Sequence, residues 1–177
     1  MTQAHLKARS KAIVWAALLA ACSPPMDWRD MHLPGLGLSV RMPCRPDQHA
    51  RNIDLAGQAV VMRIHVCTER DISFSVAVLD LADPGLVGTS LTMLRRSAAS
   101  NISGAVVSDR SALVPGMTPH PEARQLHVVG RLPDGRDVAL HGLYFSHGTR
   151  IYQAVILGRA IDAEAVGTFL TGIRVSA

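Results

Sequence analysis

The chain has almost no lysine. Lys7 and Lys11 are its only two, so everything after them is basic through arginine alone, a bias of composition that points to no chemistry. Blocks of like charge are also missing. Of the 18 basic residues, Lys7, Arg9 and Lys11 belong to an amino-terminal leader, which leaves 15 against 14 acidic residues. The formal charge of +4 therefore falls to about +1 without the leader. That near neutrality argues against nucleic acid as a partner, because displacing counterions from phosphates needs a basic face. Common catalytic signatures are missing as well: there is no Gly-x-Ser-x-Gly elbow, no phosphate-cradling glycine loop and no His-Glu-x-x-His pair. Aromatic residues make up only 4% of the chain, yet its 177 residues are 48% hydrophobic. That is enough apolar material for one core and one domain.

What is present begins at the amino terminus. Lys7, Arg9 and Lys11 precede an apolar run from Ala12 to Ala21, the n-region and h-region of a secretory signal. The run is too short for a comfortable membrane span. It ends in Leu19-Ala20-Ala21-Cys22, which resembles the bacterial lipobox. The resemblance implies a diacylglycerol thioether on Cys22, cleavage on its amino side, and a mature protein held to the membrane by lipid. Residues 1–21 are then the signal, 22–30 a tether opened by Ser23-Pro24-Pro25, and 31–177 one domain. An uncleaved anchor, or an ordinary signal with a chance cysteine, is the alternative. Ser23 in place of Asp after the cysteine favours the outer membrane by resemblance to enterobacterial sorting rules. The expected location is the cell envelope, facing the periplasm.

Export puts the other two cysteines, Cys44 and Cys67, in an oxidising compartment where a disulfide persists. Arg51 to Leu55 and Gln58 to Val66 read as two strands around Ala56-Gly57. With Leu55 opposite Gln58, that register puts Cys67 opposite Pro46, two residues from Cys44. A bend at Pro43 and Pro46 brings the sulfurs together, and closing the loop contributes about 3 kcal/mol. Buried free thiols or a metal site are the alternatives. His65 and Cys67 both suit zinc, but no second close pair completes a tetrahedral set, and we expect no metal and no cofactor.

Leu36 to Met42 alternates as a strand, the hairpin follows, and Ile72 to Leu81 makes another with Ile72, Phe74, Val76 and Val78 on one face. These read as consecutive antiparallel strands. Asp83-Pro84 is a helix start, with Val87, Leu91, Leu94 and Ala98 on one stripe, and the helix ends between Asn101 and Gly104. Ala105 to Val114 is ambiguous, and Pro115 to Pro121 is an irregular loop. A second meander follows: Ala123 to Arg131, the Pro133-Asp134-Gly135 turn, Arg136 to Phe145, a turn at His147-Gly148-Thr149, then Arg150 to Leu157. Asp162 caps a final helix whose Ala165, Val166, Phe169, Leu170 and Ile173 cover a sheet face. The fold class is α+β, an antiparallel sheet of six or seven strands with helices packed against it.

Leu38-Ser39-Val40-Arg41-Met42-Pro43-Cys44-Arg45-Pro46-Asp47, with Cys67 and a strand after it, resembles the start of a group of proteobacterial lipoproteins. Arg150-Ile151-Tyr152-Gln153-Ala154-Val155 and the ending Phe169-Leu170-Thr171-Gly172-Ile173-Arg174 resemble the PsbP/Mog1/DcrB-like fold over Met31 to Val175. That resemblance implies a sheet sandwiched by helices and imports no active site, since proteins of this fold serve in binding, chaperoning and assembly.

Candidate chemistry is confined to histidines. His120 and Glu122 sit in the proline-rich loop, while His127, His141 and His147 lie on or near the later strands, each a potential ligand or general base. Exposed strand residues and hydrogen-bonded edges are the plainer reading. Arg95-Arg96 could face anionic lipid headgroups or simply form the solvated side of its helix. The expectation is a lipid-anchored, non-catalytic binding or assembly module with a membrane anchor and an envelope protein partner. Two rivals stand beside it: an enzyme of unfamiliar type using those histidines, and a purely structural lipoprotein, distinguished by lacking an apolar groove between sheet and helix.

Overall fold

A computed structural model describes residues 26–176, and Cys22 with the expected signal lies outside them. The described residues form β1 (Arg29–Leu33), β2 (Leu38–Met42), β3 (Asp47–Leu55), β4 (Gln58–Glu69), β5 (Ile72–Asp80), α1 (Val87–Asn101), β6 (Ala105–Ser111), β7 (Arg124–Arg131), β8 (Asp137–His147), β9 (Arg150–Gly158), α2 (Ala163–Thr171) and β10 (Arg174–Val175). Seven strands make one antiparallel sheet in the order β3-β4-β5-β9-β8-β7-β6. It consists of two meanders joined where β5 pairs with β9. The fold is α+β, as the alternation of strands and helical stripes predicts.

Local chemistry explains the main boundaries. In the β3–β4 turn, Ala56 and Gly57 both have positive φ, the conformation of a two-residue type I′ hairpin, and Leu55 pairs with Gln58 as expected. The Asp83 carboxylate accepts from the Gly85 amide at 2.8 Å and opens a 3-10 turn at Pro84–Leu86 that leads into α1. Asp162 does the same for α2, accepting from the Ala165 amide at 2.6 Å. Each cap satisfies one of the donors a helix start leaves free.

Alternation along the strands divides the apolar residues into two cores. On one face Val87, Leu91, Leu94 and Ala98 of α1 pack with Leu79, Leu126, Val128, Leu140 and Tyr144. On the other, Phe169 and Leu170 of α2 pack with Ile72, Phe74, Val76, Phe145 and Ile156, joined by Leu38, Val40 and Met42 of β2. Residues from Met26 onward hold both sheets, both helices and both cores, a complete folding unit.

Cys44 and Cys67 form a disulfide, with Cα atoms 6.0 Å apart. The hairpin ladder, in which Asp47 faces Val66, brings Pro46 against Cys67 by its next step, so the register argument holds.

Three expectations need correction. Leu38–Met42 does not lead the large meander; it is the middle of a separate three-stranded sheet, β1-β2-β10. Alternation selects the face a strand buries without naming its neighbour. The expected tether reaches residue 30, whereas β1 begins at Arg29 and Met26 and Trp28 pack on the core. Arg95 is not on a solvated helix face. Its side chain is 13% exposed and its guanidinium pairs with the carboxylates of Asp109 and Glu122, which reach it from β6 and from the loop before β7.

Candidate functional site

Helix α2 is short and sits over β9 and β2, so it leaves part of its sheet face bare. Beside it, β6, β7 and β8 form the floor of a groove of about 1140 Å³ whose opposite wall is α2. The floor follows from register. Leu126 and Val128 point into the α1 core, so their neighbours Gln125 and His127 point the other way. Pairing then puts His127 between Ser108 and His141, and Gln125 between Arg110 and Leu143. Val166, Gly167 and Leu170 of α2 and Ile161 before it supply the wall, with Arg159 toward the Ala139 end.

The two imidazoles stack face to face, with centroids 4.1 Å apart and planes at 10°. Burial, then His127, then Arg110 hold His141 down to a pKa of about 4, against the usual 6.5. Between those two values the unfolded chain binds the proton that the folded chain refuses, so stability must fall as the pH drops from 6.5 to 4. Below pH 4 this contribution is already lost, and above 6.5 it is fully present. Since solvent reaches much of the ring, we expect about 1–2 kcal/mol rather than the full shift. Urea midpoints measured from pH 7.5 to 4 on the protein and on His141→Gln would show it. Parallel curves would dismiss it.

No Asp or Glu appears among the groove's lining residues. Arg110 and Arg159 are exposed, and among the described residues no hydrogen bond or ion pair engages either one. Arg159 meets only the more distant field of Asp137, a carboxylate already bonded to Arg131 at 2.7 Å. That pair lines a neighbouring depression of about 660 Å³ at Ser103 and Gly130. Arg159 borders both hollows, but in the depression Arg131 and Asp137 are committed to each other, whereas Arg110 belongs to the groove alone.

The remaining sequence candidates are scattered. The His120 Nδ1 accepts the Glu122 amide at 3.0 Å, and the Glu122 carboxylate accepts from Thr92 at 2.8 Å and from Arg95. Those contacts anchor the loop to α1. His147 bonds the Gly116 carbonyl at 2.8 Å through Nδ1, tying down the proline-rich loop. His65 lies in β4 near Arg45 and His32, and burial lowers its pKa. Among the described histidines, His127 and His141 are the pair whose rings stack. Among the described residues no cluster of three metal-binding side chains exists.

Sequence reasoning missed Arg110, Arg159 and Gly167. Gly167 did carry a signal, because glycine inside a helix costs about 1 kcal/mol relative to alanine. A Cβ built there would meet nothing within 4 Å, so its side of α2 is open to the groove. No protein-family model matches the chain, and no curated protein matches it.

Proposed function

We propose that this protein is an exported lipoprotein, anchored through Cys22 to the periplasmic side of the envelope, whose domain is a non-catalytic binding module with the α2 groove as its site. The observation that carries the reading is the groove itself, an open apolar wall facing a floor that carries Arg110, Gln125, His127 and His141 and no carboxylate. A structural lipoprotein without a ligand has no use for such a cleft. The Cys44–Cys67 disulfide supports the compartment, since such bonds persist where thiols are oxidised. Helices on both faces of the large sheet support the likeness to the PsbP/Mog1/DcrB-like fold. Binding without turnover is supported by the imidazoles, which stack on each other instead of bonding Ser108 or Ser111. No base is therefore set against a nucleophile in the groove.

The test uses residues 26–177 and the fluorescent probe anilinonaphthalenesulfonate. We expect saturable one-to-one binding that Gly167→Leu abolishes, because the new side chain enters open space in the groove. The same substitution should leave the fold intact and stabilise it by up to about 0.8 kcal/mol through helix propensity. Probe binding that ignores Gly167→Leu, or turnover of a hydrolase substrate panel that alanine at His127 or His141 stops, would defeat the reading. For the anchor, intact mass of the membrane-extracted protein should start at Cys22 with added acyl mass, and Cys22→Ala should lack it.

A further inference from the structure

The groove is divided along its length. Ile161, Val166 and Leu170 make an apolar side, while Arg110, His127 and Gln125 make a polar one toward the sheet edge. Strands β7 and β8 are paired along both edges, and only the outer edge of β6 keeps free backbone groups, so a ligand lying against α2 meets side chains. A peptide laid along the apolar side would strand its own amides at about 1–3 kcal/mol for each unmet group. An acyl chain carries no such groups. The groove in turn offers two unengaged guanidiniums, Arg110 on the polar side and Arg159 at the Ala139 end, and no carboxylate, which selects a negative headgroup.

The geometry points to an elongated single-chain amphiphile, an acyl chain ending in a carboxylate or phosphate, lying against Val166 and Leu170 with its head at Arg110 and the His127–His141 pair. This rests on the groove being the binding site. A second observation concerns supply. Trp28 packs edge-on against Phe74, with centroids at 5.5 Å, and Phe74 against Phe169 of α2 at 5.4 Å. The root of the amino-terminal segment and the groove wall therefore share one sheet face. Cys22 is six residues before Trp28, at most about 21 Å of extended chain. A lipid at Cys22 would hold that face within reach of membrane amphiphiles.

Displacement of anilinonaphthalenesulfonate from residues 26–177 tests the assignment, using dodecanoate, dodecyl phosphate, dodecyl maltoside, acetate, inorganic phosphate and a peptide of alternating Glu and Leu, each below any micelle concentration. Both dodecyl anions should compete at micromolar concentrations, and the neutral maltoside about tenfold or more weakly. Acetate and inorganic phosphate should fail at those concentrations. Arg110→Gln should weaken both dodecyl anions about tenfold and leave the maltoside unchanged. Equal competition by the maltoside would remove the anion selectivity, and inorganic phosphate matching dodecyl phosphate would make this a free-anion site. A peptide outcompeting both dodecyl anions would make it a peptide site. Each of these overturns the amphiphile. If no dodecyl compound displaces a probe that Gly167→Leu still abolishes, the amphiphile falls and the groove reading survives. Probe binding indifferent to Gly167→Leu removes both.

Discussion

Removing the Cys44–Cys67 bridge should cost about 3 kcal/mol and lower the melting temperature by roughly 6–12 °C. The bond closes a loop with a sequence separation of 23, and most of its contribution comes from the freedom it denies the unfolded chain. Its position adds a structural reason. Cys44 lies in the linker between β2 of the small sheet and β3 of the large one, while Cys67 is buried in β4. The bridge thus fixes the crossing between the two sheets, where no ladder hydrogen bond can. The measurement is thermal unfolding of residues 26–177 with and without reductant, beside the paired variant Cys44→Ala with Cys67→Ala. The reduced protein and the variant should melt together, and reductant should not move the variant. A shift below about 2 °C, under 1 kcal/mol for a domain of this size, would mean that the core alone sets the crossing.

The elements that could be read in the sequence are those whose signals are local. Asp83-Pro84 and Asp162 announce both helix starts, and the stripe from Val87 to Ala98 faces the core. The disulfide was readable because a two-residue turn at Ala56-Gly57 sets a register that can be counted outward. The same counting was available for the groove. From the Pro133-Asp134-Gly135 turn, Arg131 pairs with Asp137, and four steps further His127 meets His141. Strand β6 escaped because all but one of its residues are exposed, so no alternation marks it, and β1 has only Met31 and Leu33 turned inward, too short a pattern to stand out. Arg110 and Arg159 escaped for a different reason. Nothing local separates them from the other arginines, and one enters the groove past a bulge at Val106/Ser108 while the other comes from a loop. A groove belongs to elements far apart in sequence, and hydrophobic period cannot report which part of a sheet a short helix leaves bare.

That shortness makes Phe169, buried behind the groove wall, the most exacting position of α2. Helix α2 has nine residues, and isolated helices below about 12 residues are marginal in water, so tertiary packing must hold it. Its buried residues are Ala165, Phe169 and Leu170, and Phe169 is the largest. The ring is fully buried and meets Phe74 edge to face, with planes at 73°, a geometry that adds about 0.5–1.5 kcal/mol beyond area burial. Phe169→Ala should therefore cost about 3–5 kcal/mol, and the groove should lose its wall with it. Phe169→Leu keeps most of the volume and should cost under about 1.5 kcal/mol while retaining probe binding. Amide hydrogen exchange distinguishes two routes to that loss. If α2 detaches first, its amides should exchange faster in Phe169→Ala while those of β5 and β9 stay protected. If helix and sheet lose protection together, α2 belongs to the cooperative core, and the wall can be removed only by unfolding the domain. Unchanged stability and retained probe binding in Phe169→Ala would show that α2 is held by other contacts.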